Sequence, residues 1–352
     1  MNNKHFLFGD ISIGEGLKPL FLPDIGTFFN QDIEQAEQMI RVLAESGVKV
    51  VKGEILHTAS IALDIDYDDE YLTEGQQVVQ ENYHQLIERK VVSLNDYTRL
   101  INLCHQLGMK VVVSVYDFEG VEFALQQGCV ALKIASSNIT HQPLISCVAK
   151  TGLPMIMDTG RSSLAEISRA VLWAKQAGAE KLIVQHSPKA PPVAVNEHNL
   201  RFMQTLKKTF GVQVGLSDHH AGNEMLLAAT ALGAVVLEKG VYMDGGVLDQ
   251  GVYHSMPVSE VAQVSKQIGL VFQALGTGEA TLKVVPHRAR MGLVAKKNLG
   301  IGEGLSLENV SFAFPVLGIG AEHWEQVESC KLASPIKKGD VIHWEDIQHR
   351  EF

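Results

Sequence analysis

The sequence predicts a (β/α)₈ barrel followed by a small β-rich domain. Eight apolar segments that end in polar residues recur at even spacing over roughly 250 residues, the usual length of such a barrel. Segments with helical periodicity lie between them, and a short internal repeat begins after the pattern changes at residue 275. A doubly wound open sheet is the alternative, but no glycine-rich phosphate-binding fingerprint follows the first strand.

The predicted strands are rich in Val, Ile and Leu without clean alternation, which is typical of parallel strands buried on both faces. They cover residues 20–25, 48–54, 110–115, 131–136, 155–158, 182–186, 212–217 and 234–238. The predicted helices cover residues 32–46, 93–107, 118–127, 163–177, 197–209 and 223–232. Several of these helices are followed by a glycine before the next strand, as expected for a helix cap and a short loop.

Residues 57–92 form a connection that is too long and too acidic for an ordinary barrel loop. The connection contains the segment DIDYDDEYLTEG. A lid, a dimer contact and a solvated excursion are the three interpretations that this composition leaves open.

The tail contains two related segments. Residues 299–310, LGIGEGLSLENV, match residues 336–347, IKKGDVIHWEDI, at an offset of 37. Each copy is predicted to form a turn, a short strand and a capped turn. We therefore expect a barrel domain over residues 1–280, and a linker with a small β-rich domain over residues 281–352.

The composition excludes several classes of protein. Hydrophobic residues make up 46% and charged residues 20% of the chain, which excludes disorder and collagen. A formal charge of −10 argues against nucleic acid or an anionic membrane as the main partner. The four scattered cysteines form no CxxC pair, and no apolar stretch resembles a signal peptide or a membrane span. We therefore expect a cytoplasmic protein with reduced thiols.

Polar residues at the ends of the predicted strands form the candidate active site, because the C-terminal end of a (β/α)₈ barrel carries it. These residues are Asp24, Lys52, Glu54, Ser114, Lys133, Ser136, Asp158, His186, Ser217, Asp218, His219, Glu238 and Lys239. Lys52 and Lys133 are the most informative, since a lysine on a buried strand needs a fixed anion or a lowered pKa. They predict a site for a phosphate or carboxylate, with the three serines supplying hydroxyls. Internal salt bridges to Asp24 and Glu54 are the alternative, and a Schiff-base role for Lys133 is a third interpretation.

The segment GLSDHHAG at 215–222 places two imidazoles just past the seventh strand. His219 or His220 is suited to bind a divalent metal or to polarise a carbonyl group. A satisfied structural histidine is the alternative, because one histidine alone does not make a metal site.

Several of these motifs, taken in order, resemble the sialic acid synthase family. They are IG near residue 25, VK at 51–52, KIAS at 133–136, TG at 159–160, GLSDHH at 215–220 and LEK at 237–239. The tail resembles that family's antifreeze-like (SAF) domain, and the similarity runs from about residue 20 to residue 347. The resemblance implies condensation of phosphoenolpyruvate with an N-acylated aldose, usually with a divalent metal. It also implies a dimer whose tail domain covers the partner's active site.

The resemblance assigns most of its phosphoenolpyruvate contacts to residues that are present in this chain. These contacts are Lys52, Ser114, Lys133, Ser136, Thr159 and Ser217. Asp24 replaces a usual glutamate, Glu54 a usual glutamine and Asp158 a usual serine, so the site gains negative charge.

The sugar half of the site departs from the family pattern. Gly240 stands where the family has a second metal-binding histidine, and Phe314 where a tail arginine reaches the partner's sugar site. The segment at 186–192, HSPKAPP, replaces the family's polar and tyrosine contacts. The resemblance therefore implies a divergent relative whose second substrate has changed.

The sequence thus predicts a synthase that joins phosphoenolpyruvate to an aldose. His219, alone or through a metal, would polarise the aldehyde oxygen, while Asp24, Glu54 or Glu238 would handle protons. A metal (Mn²⁺ or Mg²⁺) would need a second ligand beside His219, either His186 or Glu238, so we expect weak or absent metal binding.

Two alternatives to a synthase remain open, and the expected assembly is the same for each. One is a catalytically silent or regulatory relative that binds an anion, and the other is a Schiff-base aldolase that uses Lys133. We expect a homodimer with the tail near the partner's active site, because so small a domain has little core of its own.

Overall fold

The computed structural model describes residues 5–72, 78–188, 194–245, 252–279 and 287–348. The chain divides into two compact units, Met1–Gly276 and Thr277–Phe352. The expected boundary between residues 280 and 281 lies outside the described residues, as do residues 189–192 of the HSPKAPP segment. No helix in the described part of the chain is both long enough and apolar enough to cross a bilayer.

Eight parallel strands close into a barrel, which confirms the predicted fold. The strands of the chain are β1 (His5–Phe8), β2 (Ile11–Gly14), β3 (Leu20–Asp24), β4 (Val50–Ile55), β5 (Asp68–Leu72), β6 (Val78–Asn82), β7 (Lys110–Val115), β8 (Ala131–Ile134), β9 (Met155–Asp158), β10 (Leu182–His186), β11 (Gln213–Asp218), β12 (Val236–Tyr242), β13 (Met256–Pro257), β14 (Gly292–Ala295) and β15 (Val310–Ala313). The barrel consists of β3, β4 and β7 to β12, and it closes because β12 pairs in parallel with both β11 and β3.

Helices follow most of the barrel strands. They are α1 (Ile33–Glu45), α2 (Tyr83–Glu88), α3 (Leu94–Gln106), α4 (Phe118–Gln126), α5 (Gln142–Lys150), α6 (Leu164–Gln176), α7 (Phe202–Phe210), α8 (Glu224–Ala231), α9 (Val261–Leu275) and α10 (Trp324–Val327). Side chains of Asp32, Ser93 and Ser163 accept backbone N–H groups at the starts of α1, α3 and α6. Helix α7 begins five residues later than predicted, because a 3₁₀ turn occupies Val195–Glu197.

An N-terminal hairpin closes the bottom of the barrel. Strands β1 and β2 pair antiparallel, and they carry Phe6, Phe8 and Ile13 into the cluster of inward-facing residues at the beginnings of the barrel strands. Phe8 is fully buried there against residues such as Leu22 and Val50. The opposite end of the barrel, where the strands finish, carries the candidate site.

The acidic connection after β4 folds into a small structure of its own. A 3₁₀ turn at Ala59–Ile61, the antiparallel β5–β6 hairpin and α2 follow one another. The hairpin is supported by Arg89, whose guanidinium donates to both carboxylate oxygens of Glu81 at 2.7 and 2.9 Å. The described part of the connection therefore contains regular elements, held by its own hydrogen bonds.

The tail unit has a separate core that includes both copies of the repeat. Leu299 and Ile336, which correspond in the two copies, exchange backbone hydrogen bonds of 2.8 and 3.0 Å. Leu305 and Ile342, another corresponding pair, are fully buried in the same core. The short strand predicted in each copy is replaced by isolated bridges, while the antiparallel pair β14–β15 forms the regular sheet.

Candidate active site

Two adjoining cavities lie at the C-terminal ends of the barrel strands. The inner cavity has a volume of about 190 Å³, and the outer cavity a volume of about 800 Å³. Phe28, Glu54 and His254 line both, so the two cavities lie next to each other. The inner cavity is lined by deeply buried side chains, whereas exposed residues such as Glu70 and Arg161 line the outer one.

The inner cavity brings together nearly all of the residues nominated from the sequence. Its lining includes Asp24, Lys52, Glu54, Ser114, Lys133, Ser136, Asp158, Ser217, Asp218, His219 and Glu238. Parallel register explains this convergence, since Ser114 lies opposite both Glu54 and Lys133 on the neighbouring strands. In the same way Ser217 lies opposite Glu238. Residues at matching positions of adjacent strands therefore point into one space.

Thr159, His186 and Lys239 differ from the rest of the nominated set, because their polar atoms are used elsewhere and they do not line the inner cavity; Lys239 pairs with Asp218. The Thr159 hydroxyl donates to the Gln185 carbonyl oxygen at 2.9 Å. Nε2 of His186 lies 2.6 Å from the carbonyl oxygen of His198.

The two buried lysines are joined by one carboxylate. Oε1 of Glu238 lies 2.5 Å from Nζ of Lys133 and 3.7 Å from Nζ of Lys52. Lys52 also contacts Asp24 at 2.6 Å, and Lys133 contacts Asp158 at 3.0 Å. The internal salt bridges to Asp24 and Glu54, which the sequence left as the alternative, therefore form at Lys52; the Glu54 contact is the longer, at 3.7 Å.

Both lysines are held in the charged form. Burial alone would lower the pKa of each amine, but the surrounding carboxylates outweigh burial, so the pKa of Lys52 and that of Lys133 both lie above the ordinary value. Burial would likewise raise the pKa of Asp158, but Lys133 and His219 outweigh it and lower that pKa. Lys133 is consequently an ammonium ion and a poor nucleophile, which disfavours the Schiff-base interpretation.

The inner cavity carries an excess of negative charge. Asp24, Glu54, Asp158 and Glu238 surround the ammonium groups of Lys52 and Lys133, so carboxylates outnumber lysines there. Asp218 is balanced separately by Lys239, whose Nζ lies 3.0 Å from Oδ2 of the aspartate. An anion that enters this cavity must therefore compete with internal carboxylates for the lysines.

A second histidine, His254, lies beside His219. Their rings are perpendicular with centroids 4.6 Å apart, and both residues line the inner cavity. Nδ1 of His219 pairs with Oγ of Ser187 at 3.1 Å. Burial lowers the pKa of both histidines, for His254 well below the ordinary value, so both rings are neutral at physiological pH. The sequence reasoning missed His254, which follows His219 by 35 residues in a 3₁₀ turn.

Position 240 has no room for a side chain. A Cβ atom there would overlap Oγ of Ser255 and lie 2.9 Å from the ring of Phe28. The glycine therefore cannot be replaced by the histidine of the family pattern without displacing both neighbours.

His219 and His254 are the two histidines that line the inner cavity. In the described part of the chain, no group of three or more His, Cys, Asp or Glu side chains is arranged to hold a metal ion. Two buried atoms at the inner cavity nevertheless have no hydrogen-bond partner within the described residues, Nδ1 of His254 and Oε2 of Glu238. Unused donors of this kind are compatible with a ligand in the cavity.

The acidic connection lines one side of the outer cavity. Ser60, Asp69, Glu70, Tyr71 and Tyr83 from this connection line it, opposite residues that follow the barrel strands. The latter are Tyr116, Asp117, Ser137, Asn138, His141 and Arg161. This position over the strand ends favours the lid interpretation of the connection, and the hydroxyl-rich, aromatic lining suits a polyhydroxylated ligand.

Comparison with known proteins identifies the same two units. The sequence model of the NeuB family matches residues 39–280, and that of the SAF domain matches residues 290–348. N,N'-diacetyllegionaminic acid synthase of Campylobacter jejuni is 28% identical over 92% of this chain and 98% of its own length. Pseudaminic acid synthase of the same species is 26% identical over 90% of this chain and 93% of its own length.

Solved structures show the same fold. The N-acetylneuraminic acid synthetase of Leptospira borgpetersenii serovar Hardjo-bovis superposes with a TM-score of 0.69 at 22% identity. The superposition covers 80% of this chain and 93% of that one.

Proposed function

Because the chain belongs to the NeuB family and carries a SAF domain, we propose that it is a synthase that condenses phosphoenolpyruvate with an aldose and releases phosphate. One observation carries the proposal beyond the family level. Two buried ammonium groups and three hydroxyls face a small inner cavity, which adjoins a larger one with hydroxyl-bearing and aromatic lining. The two cavities match a small anionic donor and a larger acceptor.

The inner cavity would bind phosphoenolpyruvate through charge. Lys52 and Lys133 would hold its phosphate and carboxylate, and the hydroxyls of Ser114, Ser136 and Ser217 would donate to the same oxygens. The donor would displace the Glu238 carboxylate from one or both lysines, since their Nζ atoms now share its Oε1.

The bond-forming step joins the two substrates where the cavities meet. C3 of phosphoenolpyruvate attacks the aldehyde carbon, and the aldehyde oxygen takes up a proton as the C–C bond forms. Water then adds at C2, the bond from C2 to the phosphate oxygen breaks, and phosphate leaves with that oxygen. His219, which is neutral and contacts Ser187, would polarise the aldehyde oxygen.

The carboxylates around the lysines would move the protons of these steps. Glu54 accepts a hydrogen bond of 2.9 Å from the Tyr116 hydroxyl at the junction of the cavities. Oε2 of Glu238 has no partner among the described residues, so it is available to take a proton from water. Asp24, which contacts Lys52, is the third candidate.

A divalent metal would be held through His219 and would supply charge stabilisation to the developing alkoxide. With few protein ligands the affinity would be low, in keeping with the expectation from the sequence.

We also propose that the protein acts as a homodimer in which the tail of one chain lies near the active site of the other. The tail unit has a small core of its own, and it exposes several large apolar side chains, among them Phe314, Leu317 and Trp344.

An assay of phosphate release tests the proposed reaction. Purified protein receives phosphoenolpyruvate with one aldose at a time, chosen from mono- and di-N-acylated sugars with and without a phosphate. We expect one phosphate per product, and mass spectrometry should find a 2-keto acid three carbons longer than the aldose. Binding of phosphoenolpyruvate without turnover on any aldose would support the silent anion-binding alternative, which the crowded lysines and Gly240 favour.

Borohydride trapping distinguishes the proposed synthase from the remaining alternative, a Schiff-base aldolase. A Schiff-base aldolase would become covalently labelled at Lys133 when borohydride is added with a ketose or pyruvate. We expect no label, because the lysine is paired with Asp158 and Glu238 and is protonated.

A further inference from the structure

We infer that Arg161 selects the acceptor by binding an oxyanion that the aldose carries at the end remote from its aldehyde. The oxyanion would be a phosphate or a carboxylate, since a guanidinium binds either group through two parallel hydrogen bonds. The inference rests on the proposed function in one respect, namely that the outer cavity holds the acceptor. It names the class of acceptor and the residue that recognises it.

The first support is that the guanidinium of Arg161 is unpaired. Arg161 is exposed and lines the outer cavity, and within the described residues it has no hydrogen bond and no ion pair. Carboxylates that line the same cavity already have partners. Asp117 lies 2.9 Å from Nε2 of His57, and Glu70 accepts a hydrogen bond of 3.3 Å from the Gln80 amide. The donors of the guanidinium are therefore available to a ligand.

The second support is the backbone that carries Arg161. Its φ of 55° lies in the left-handed region, which favours glycine or asparagine and is uncommon for a long side chain. The turn around it is fixed on both sides. Asp158 accepts the Gly160 N–H at 3.1 Å, and the Ser162 hydroxyl donates to the Gly160 carbonyl oxygen at 3.0 Å. Residues held in such sparsely populated conformations cluster at ligand-binding positions.

The third support is an unused donor on the adjacent loop. Asn138 lines the outer cavity, and its buried Nδ2 has no hydrogen-bond partner among the described residues. The two loops touch, because a Cβ atom at Gly160 would lie 3.3 Å from Cβ and Oγ of Ser136. An oxyanion bound there would accept from the guanidinium and from the amide, and it would satisfy a polar atom whose burial is otherwise costly.

The position of Arg161 determines which end of the acceptor it recognises. Arg161 lines only the outer cavity, whereas the aldehyde must lie near the inner one, where the donor would bind. The charge of Arg161 acts on Tyr83 of the acidic connection. Burial raises the pKa of this phenol, Asp69 adds to the increase and Arg161 opposes it. The guanidinium therefore lies beside the connection, away from the reacting carbon.

Calorimetric titration of the full-length protein with matched sugars, without phosphoenolpyruvate, tests the inference. The sugars are a neutral N-acylated hexosamine, its phosphate monoester at the primary hydroxyl, and the corresponding uronic acid. We expect one of the two charged sugars to bind about tenfold or more tightly than the neutral one, and Arg161→Met to remove that preference. Arg161→Lys should keep only part of it, because lysine retains the charge without the bidentate geometry. Arg169→Met, at an exposed position of α6 outside the cavity, is the matched control and should bind as the wild type does.

A measurement on the wild type keeps the test independent of whether the variants fold. Phenylglyoxal labels accessible arginines, and peptide mapping by mass spectrometry should show that the preferred charged sugar protects Arg161 but not Arg169. The two charged sugars also identify the group that is bound. A phosphate subsite prefers the monoester, and a carboxylate subsite prefers the uronic acid.

Three results would each overturn the inference. They are equal or tighter binding of the neutral sugar, an unchanged preference in a folded Arg161→Met protein, and no protection of Arg161 by either charged sugar. None of these readouts requires turnover, so they remain interpretable if the phosphate-release assay fails. Conversely, turnover of neutral aldoses without a preference for charged ones would support the synthase and refute the role of Arg161.

Discussion

Lys133 is the residue on which donor binding should depend most directly, because its ammonium group lies deep in the inner cavity. Replacing it with methionine removes a charge-assisted hydrogen bond, leaves Asp158 without this cation, and leaves Glu238 with only the longer contact to Lys52. We expect Lys133→Met to lose about 1.5–3 kcal/mol of phosphoenolpyruvate binding, roughly a 10- to 150-fold weaker affinity by calorimetric titration. Lys150→Met, at an exposed position of α5, is the control. Equal affinity in wild type and Lys133→Met would refute the proposed anion site.

Asp158 should weaken the binding of phosphoenolpyruvate, whereas Lys133 should strengthen it. Its carboxylate lies 3.0 Å from Nζ of Lys133, and its pKa is lowered, so it is charged at neutral pH. Asp158→Ser removes that competing charge, and we expect phosphoenolpyruvate to bind about tenfold more tightly, near 1.4 kcal/mol. Glu119→Gln removes an exposed carboxylate of α4 and should leave the affinity unchanged. A weaker affinity in Asp158→Ser would mean that this aspartate supports the donor.

Individual side chains show which parts of the candidate site can be predicted from the sequence alone. Lys52 and Lys133 could be found because each interrupts an apolar strand, and only a charged partner makes such burial tolerable. His254 could not be found, since no periodic pattern marks a 3₁₀ turn that reaches His219 through tertiary packing. The hydrogen bond from the Thr159 hydroxyl to Gln185 could not be predicted either, because it depends on the position of the neighbouring strand.

The N-terminal hairpin is the element whose loss should be most damaging to the barrel floor. Phe8 is fully buried against the inward-facing residues, whereas its neighbour Leu7 is 54% exposed. We expect Phe8→Ala to lower the free energy of unfolding by about 3–5 kcal/mol and Leu7→Ala to change it little. Denaturant unfolding measures both. A small effect of Phe8→Ala would show that the floor is held without the hairpin.

Elements with strong periodicity were predicted well, and those with an interrupted pattern were not. The eight barrel strands match the predicted segments within a few residues, because buried parallel strands are continuous apolar runs. Helix α5 was missed because Pro143 suggests a break, although proline is well tolerated in the first turn of a helix. The β5–β6 hairpin was missed because it is polar on both faces, so no alternation marks its strands.

At the scale of the whole molecule, acid should destabilise the folded chain through buried histidines. Burial lowers the pKa of His186, so below about pH 6.5 the unfolded chain binds a proton that the folded chain does not. Each such histidine should reduce the free energy of unfolding by up to about 1.4 kcal/mol per pH unit in that range.

Thermal melts between pH 7.5 and 5.5 test this dependence. The melting temperature should fall with pH, and it should fall less steeply in His186→Gln than in the wild type. His105→Gln, at an exposed position of α3, should follow the wild type. The same slope in all three proteins would contradict the assignment.

The proposed assembly predicts a mass of two chains by light scattering at micromolar concentration. If the tail lies near the partner's active site, a mixture of a tail-truncated protein and an inactive full-length Lys133→Met protein should recover activity in mixed dimers. A monomer, or no recovery in verified mixed dimers, would contradict the assembly.

The closed floor of the barrel has a consequence for the timing of the proposed reaction. Since the N-terminal hairpin packs against the beginnings of the barrel strands, and the outer cavity adjoins the inner one at their ends, we expect the donor to enter through the volume that the acceptor later fills. An acceptor that arrives first therefore blocks the route, whereas a donor that arrives first is trapped beneath it. Turnover should then follow a compulsory order, with high aldose concentrations slowing the enzyme at low phosphoenolpyruvate and ceasing to do so when the donor saturates.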